Sequence, residues 1–298
     1  MIETPILFLI FNRPEETKLV FEQIRKAKPK YLFVAADGPR IEKEDERELC
    51  NQTRAILEGV DWNCELKTLY RDENLGCGLA VYGAINWFFE HVESGIILED
   101  DCLPQFGFFQ YCSTLLSKYA DTEQVKMISG CNYLLGLYSI RASYYFSRIP
   151  IIWGWATWKR AWSQMNYNMY NYYDKVLSFH KSANAFKHHW EPLYNNPDTL
   201  DTWDFQWFFS IYEQDGIVIH PKYNLIRNIG FDFQKATHTV KPYWWYKHVI
   251  HKDFIIQKHP EKIIPFVQGD EFLEKLYTYQ NPTLFQRLML KTINRIRY

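Results

Sequence analysis

A chain of 298 residues is long enough to bury a substantial core and lies at the upper edge of what one domain holds, so one domain with two lobes is expected. Its 34 basic and 35 acidic side chains leave a formal net charge of -1, a balance that provides no global field and disfavours nucleic acid or an anionic surface as partner. The cysteines Cys50, Cys64, Cys77, Cys102, Cys112 and Cys131 form no Cys-x-x-Cys pair, which argues against a zinc site or disulfide framework and for a reducing cytoplasm.

The first apolar run, Ile6–Phe11, begins almost at Met1, is too short for a membrane span and has no basic leader or cleavage site, so no export signal is read. It reads as a strand that gives way at Asn12-Arg13-Pro14 to a helix from Glu15 to Lys28, with Leu19, Val20, Gln23 and Ile24 at helical spacing. Tyr31–Ala36 is a second strand, broken by Asp37-Gly38-Pro39-Arg40, and a charged helix is expected from about Glu42 to Glu58. Leu66–Tyr70 reads as a third strand, 74–78 as a loop, Leu79–His91 as an apolar helix and Ile96–Leu98 as a fourth strand. Such a β-α succession predicts an α/β fold with a mainly parallel, doubly wound sheet, in which ligands bind beyond the carboxyl ends of the strands. Asn12, Arg13, Asp37, Gly38 and Glu99–Asp101 gather at that edge. No Gly-x-Gly-x-x-Gly and no Gly-Lys-Ser/Thr motif follows the first strand, so a dinucleotide fingerprint and a P-loop find no support.

The second half is less regular. A helix from Phe106 to Tyr119, a strand Val125–Ser129 and a short strand Tyr144–Phe146 precede the tryptophan-rich segment 152–158. Residues Met165 to Asn196 read as polar, aromatic and helical. Asp201-Thr202-Trp203-Asp204 opens a helix with Phe205, Phe208, Phe209 and Tyr212 on its apolar side, and an acid there is also a natural N-cap. Ile217–His220 reads as the last strand, followed by a polar loop from Asn228 to Thr239 that contains His238. In the tail, Arg287, Lys291, Arg295 and Arg297 form a basic set that suits a helix on anionic lipid, and equally a solvated terminal helix.

The run Ser94–Pro104 carries the most information, because a short apolar segment feeds straight into Glu99-Asp100-Asp101. Three adjacent carboxylates are costly to bury unless a cation or hydrogen-bond donors offset them. Oxygen ligands suit Mg²⁺ or Mn²⁺ and substrate phosphate; an acidic turn in water is the alternative reading.

Strands ending in Asn12-Arg13, in Asp37-Gly38 and in Glu99-Asp100-Asp101 together resemble the GT-A fold of nucleotide-sugar glycosyltransferases. Ile97–Pro104 with Phe108-Phe109 is similar to the Glu-Asp-Asp segment of the N-acetylglucosaminyltransferases that initiate complex N-glycans. Ile128–Asn132, Gly154-Trp155, Trp203-Asp204, His220-Pro221, Arg227, Gly230 and Thr237-His238 follow in the order of that family. The chain also resembles bacterial haemolysin-labelled glycosyltransferase-like proteins with a Gly-Trp-Ala-Thr-Trp element, here Gly154–Trp158. The likeness covers roughly residues 5–240.

The resemblance implies a GT-A fold, mixed and mainly parallel, with a nucleotide-sugar lobe at 1–104, an aromatic-rich acceptor lobe at 105–240 and a helical extension at 241–298. It implies that Arg13 and Asp37 hold the nucleotide in a pocket shaped by Asn12 and Gly38. Asp101 would bind Mn²⁺ or Mg²⁺, with Glu99 and Asp100 orienting the ribose and metal-bound water, and Asp204 would be the catalytic base. Phe205-Gln206 intervene before Trp207, a departure from the family's Trp-Asp-Asp-Trp pattern that leaves Asp204 and Asp201 both open. His238 would reach the diphosphate or the metal; a surface histidine is the other reading.

The expected activity is metal-dependent transfer from a nucleotide diphosphate sugar, a UDP-sugar foremost, to a saccharide or glycolipid acceptor in surface glycan synthesis. One base candidate without a carboxylate nucleophile implies inversion. A cytoplasmic location follows, and the basic C-terminal segment leaves peripheral contact with the inner face of the membrane as an open reading. A sugar nucleotidyltransferase and a non-catalytic carbohydrate-binding protein are the competing classes.

Overall fold

The computed structural model describes residues 1–197, 201–231, 243–278 and 288. His238 and nearly all of the basic tail lie outside the described residues. In chain order the first half runs β1 (Ile6–Ile10), α1 (Pro14–Ala27), β2 (Tyr31–Ala36), α2 (Glu46–Ala55), β3 (Glu65–Tyr70), α3 (Gly76–His91), β4 (Ser94–Glu99), β5 (Cys102–Pro104) and α4 (Gly107–Lys118). The second half runs β6 (Val125–Ser129), β7 (Tyr144–Ser147), β8 (Trp155–Trp158), α5 (Lys159–Trp162), α6 (Tyr172–Val176), α7 (Asn184–Asn195), α8 (Asp204–Glu213), β9 (Ile217–Pro221), β10 (Ile226–Asn228) and α9 (Val267–Thr278).

Local chemistry accounts for the first unit. Every residue of β1 is buried, as an interior strand requires. Pro14 starts α1, Glu15 and Glu16 occupy its first turn, Arg25 and Lys26 its last, and Lys28 closes it in a left-handed conformation at φ 51°. The strands assemble into a mixed sheet in the order β3-β2-β1-β4-β8-β6-β9-β7, flanked by helices. Strands β1 to β4 are parallel, β8 runs against β4 and β6, β9 runs with β6, and β7 runs against β9. The carboxyl ends of β1, β2, β3, β4, β6 and β9 therefore share one edge. Strand order reverses between β1 and β4, which makes the crevice beyond Ile10 and Glu99 the topological switch point where open α/β sheets bind ligands.

A second, two-stranded sheet pairs β10 with β5, Asn228 opposite Cys102 and Ile226 opposite Pro104. Neither β5, β8 nor β10 is anticipated by the sequence as a strand, and Ile217–His220 is not the last one. Segments of three or four residues are too short to display a period. Residues 165–196 also depart from the expected helix: Met169 and Asn171 adopt positive φ, and α6, a 3-10 turn at Lys181–Ala183 and α7 replace it. Its aromatic residues serve ring contacts rather than a helical stripe, Tyr172 lying 5.3 Å from Tyr194 and 5.9 Å from Phe209. The charged helix starts at Glu46, where the carboxylate accepts from Asn12 Nδ2 at 2.8 Å and from the Arg40 N–H at 2.7 Å.

Residues 243–278 pack onto this frame. Asp253 Oδ1 accepts from the Gly107 N–H at the start of α4 at 2.7 Å. On α9, Asp270 accepts from Ser147 Oγ at 2.6 Å and from the Arg148 N–H at 3.0 Å. Burial pushes Asp270 up to about 6, against the opposing pull of those donors. The folded state therefore holds this proton more tightly than the unfolded chain, so its contribution to stability is present below pH about 4 and is lost as pH rises to about 6. Asp270→Asn is expected to flatten the fall in urea stability across that window; an unchanged pH profile would exclude Asp270 as its source. No helix among the described residues is long and apolar enough to cross a membrane.

Candidate functional site

At the switch point, Arg13 reaches from the end of β1 across to the end of β4. Its Nη1 lies 3.2 Å from Asp100 Oδ1 and 3.0 Å from Asp101 Oδ2, with the side chains 14 %, 9 % and 14 % exposed. Burial works against the Arg13 charge, yet Asp100, Asp101, Glu16 and Glu99 together raise its affinity for the proton above the ordinary arginine value. Glu99 is raised well above the usual carboxylate range, first by burial and then by the charges of Asp101, Asp100 and Asp204. Burial pushes Asp100 up to about 7, opposed by Arg13 and reinforced by Asp101 and Glu16.

Glu16, fully buried one turn into α1, is the member of this cluster that sequence reading assigned only to a helix. Its position three residues after Arg13, in the first turn of α1, is the signal that places it on the cluster side of the helix. One guanidinium thus stands among four carboxylates. The imbalance favours proton uptake or a further cation.

The loop after β10 packs against Asp101. The Ile229 N–H donates to the Asp101 carbonyl at 2.8 Å, and Gly230 stands where a Cβ would come within 2.7 Å of Asp101 Oδ2. Space beside that oxygen exists because residue 230 is glycine. Among the described residues, no three His, Cys, Asp or Glu side chains are grouped so as to hold a metal ion by themselves. The donor set fits the other mode of Mg²⁺ and Mn²⁺ binding, in which one or two carboxylates share the ion with water and substrate phosphate. Asp101 and its neighbour Asp100, both ion-paired with Arg13, are the carboxylates that would share such an ion.

Asp37 and Gly38, beyond β2, serve the adjoining loop. Asp37 accepts from the Leu75 N–H at 3.0 Å and from Asn74 Nδ2 at 3.0 Å, and burial raises its pKa against those donors. A Cβ on Gly38 would lie 2.4 Å from the Glu73 backbone, so only glycine permits this close approach. Asn12 turns from the cluster towards Glu46.

Asp201 and Asp204 have different surroundings. Asp201 accepts from the Cys77 and Gly78 N–H groups, each at 2.7 Å, and so caps α3 from 123 and 124 residues away. This long-range cap explains why α3 begins at Gly76, where the sequence predicts a loop; it also replaces the expected cap on α8, whose N-cap residue is Trp203. Asp204 is the first residue of α8, receives a hydrogen bond from Thr202 Oγ1 and lies within electrostatic reach of Glu99. Beneath it, Trp203 stacks on Trp155 at 5.6 Å and 18°, and Trp162 lies 5.1 Å from Trp207. Trp155 and Trp158 are buried, leaving Trp153 as the half-buried ring of its segment, 5.7 Å from Phe231 and 5.6 Å from Tyr246. The Gly154 turn has φ +61°, and a Cβ there would meet Ile226 at 2.4 Å. His220 is fully buried, its ring nitrogens facing the Cys131 and Ile149 carbonyls at 2.9 and 2.8 Å.

No protein-family model and no curated protein matches the chain. Among solved structures, a crystal structure of residues 1–349 of TarS from S. aureus is 10% identical over 78% of this chain, with a TM-score of 0.43. The chain spans 62% of the length of that structure. The 4-diphosphocytidyl-2C-methyl-D-erythritol synthase from Anaerococcus prevotii is 11% identical over 75% of this chain and 92% of its own, with a TM-score of 0.37. An apo UDP-glucose pyrophosphorylase is 9% identical over 76% of this chain and 93% of its own, with a TM-score of 0.36.

Proposed function

We propose that this protein is an inverting glycosyltransferase that moves a sugar from a nucleotide diphosphate sugar, a UDP-sugar foremost, to a saccharide acceptor. The observation that carries the reading is Arg13 held between Asp100 and Asp101 at the switch point, with Asp204, from a remote part of the chain, near enough to act electrostatically on Glu99. Transfer expels a diphosphate and needs a base for the acceptor hydroxyl, and these two groups of residues divide that work. Arg13 offers fixed positive charge to the leaving group. When bound, Mn²⁺ or Mg²⁺ supplies further charge neutralisation there, with Asp101 as its protein ligand.

Glu99 and Asp100 orient the donor, and Asp37 and Gly38 fix the neighbouring loop that borders the nucleotide. Asp204 takes the proton of the attacking hydroxyl. It is favoured over Asp201 because both Asp201 oxygens already accept from α3 N–H groups. Asp201→Ala is accordingly expected to cost about 0.5–2 kcal/mol of stability, as the loss of a helix cap does. Urea unfolding measures that cost. A loss of transfer equal to that of an Asp204 variant would reverse the assignment.

The reading is tested by incubating the full chain with Mn²⁺ and a panel of nucleotide sugars and following donor hydrolysis. Slow release of a nucleoside diphosphate from one donor is expected. Absence of binding and turnover with every donor would remove the reading, and nucleoside triphosphate formation from pyrophosphate would point to a nucleotidyltransferase.

A further inference from the structure

The near-zero net charge conceals a segregation along the binding edge of the sheet. Beyond the ends of β6 and β9 lie two chambers, one of about 290 Å³ and one of about 520 Å³. They share a wall: Ile250 faces the first, and its neighbours Val249 and His251 face the second. Asn224 lines the smaller chamber and reaches His251 of the larger at 3.0 Å. The larger chamber begins at Arg227 and Asn228, in the strand that leads to Gly230 and Asp101. A molecule lying along both would run away from the acidic cluster.

The segments 130–143, 222–231 and 243–258 that build this tract carry Arg141, Lys222, Arg227, Lys247, Lys252 and Lys258. Their only acid is Asp253, which is taken by the Gly107 N–H. Lys222 and Lys252 both place Nζ over the Tyr223 ring, 5.7 and 5.1 Å from its centroid, and Phe254 meets the same ring at 5.9 Å. Ser143 ties the backbones of two of these segments together, its carbonyl accepting from the Lys222 N–H at 2.9 Å and its Oγ from the Lys258 N–H at 3.1 Å. Two ammonium groups gathered over one ring, beside a cleft that Lys222 and Tyr223 line, suit the anionic substituent of a saccharide.

We propose that the two chambers form the acceptor tract and that the acceptor is a saccharide carrying phosphate or carboxylate groups, with a unit remote from the transfer point seated against Lys222, Tyr223 and Lys252. This deepens the glycosyltransferase reading and rests on it for the word acceptor, while binding itself can be measured without a donor. Calorimetry on the full chain, with no nucleotide present, compares an oligogalacturonate and a phosphorylated oligomannoside with a neutral oligosaccharide of equal length. The anionic probes bind more tightly, and the difference shrinks as salt is raised. Lys222→Gln with Lys252→Gln weakens the anionic probes by about three- to tenfold, and Lys222→Arg with Lys252→Arg retains them. Equal or tighter binding of the neutral probe overturns the proposal. So does binding to phosphatidylglycerol vesicles without affinity for either anionic saccharide. A failed donor panel, by contrast, removes the transferase reading and leaves this binding result standing.

Discussion

Replacement of Asp204 by asparagine is expected to lower glycosyl transfer by about 10²–10⁴-fold while nucleotide binding persists, the range lost when a general base is removed. Asparagine has the shape of aspartate, and the Thr202 hydroxyl that donates to Asp204 Oδ1 can donate equally to an amide oxygen. The start of α8 is also held by the Trp155, Trp162, Trp203 and Trp207 rings, which the substitution leaves untouched. What disappears is the capacity to accept a proton. Initial rates with saturating donor, alongside calorimetry with the nucleoside diphosphate, separate the two quantities. A variant that transfers at the parental rate would show that another group takes the proton, and one that loses nucleotide affinity to the same extent would put Asp204 on the donor side.

Arg13→Met is expected to cost about 3–5 kcal/mol of folding stability, the range for breaking a buried ion pair by removing one partner. Methionine keeps much of the apolar stem and deletes the charge. Glu16, Glu99, Asp100 and Asp101 then remain together without the guanidinium whose charge they now stabilise. Arg13→Lys should recover most of the loss, because it restores a cation at the same place. Adding Asp100→Asn to Arg13→Met should cost less than the two changes separately, since the second removes one of the charges the first left exposed to repulsion. Urea unfolding at constant pH measures all four proteins. Full additivity, or a loss below about 1 kcal/mol for Arg13→Met, would mean that the acids are already neutralised by other means.

The strongly periodic half of the chain was legible in the sequence because β1, β2 and β4 are interior strands with near-continuous apolar runs, and each ends in turn residues or charge. Asn12, Arg13, Asp37 and Glu99–Asp101 could be put on one edge from that pattern alone. Their partners could not. Asn12 bonds to Glu46, Asp37 to Leu75 and Asn74, and Asp201 to the start of α3, all contacts set by tertiary approach rather than by local spacing. The irregular half was harder for a different reason: rings such as Tyr172, Tyr194 and Phe209 pack as a three-dimensional cluster and leave no period. Charge segregation was invisible for a third reason, because Arg141, Lys222 and Lys252 are scattered in sequence and gathered only by the ends of β6, β7 and β9.

The β4–β8 pairing also decides how this molecule can be cut. Ile96 and Ile97 pair on one side with Ile6 and Leu7 of β1 and on the other with Ala156 and Trp155 of β8, which come from far along the chain. A fragment ending at residue 104 would carry the switch-point residues yet present one whole side of β4 as an open, apolar template for foreign strands. Divided expression at that point would therefore yield aggregates rather than a working half. The chain is a poor candidate for modular exchange at that junction.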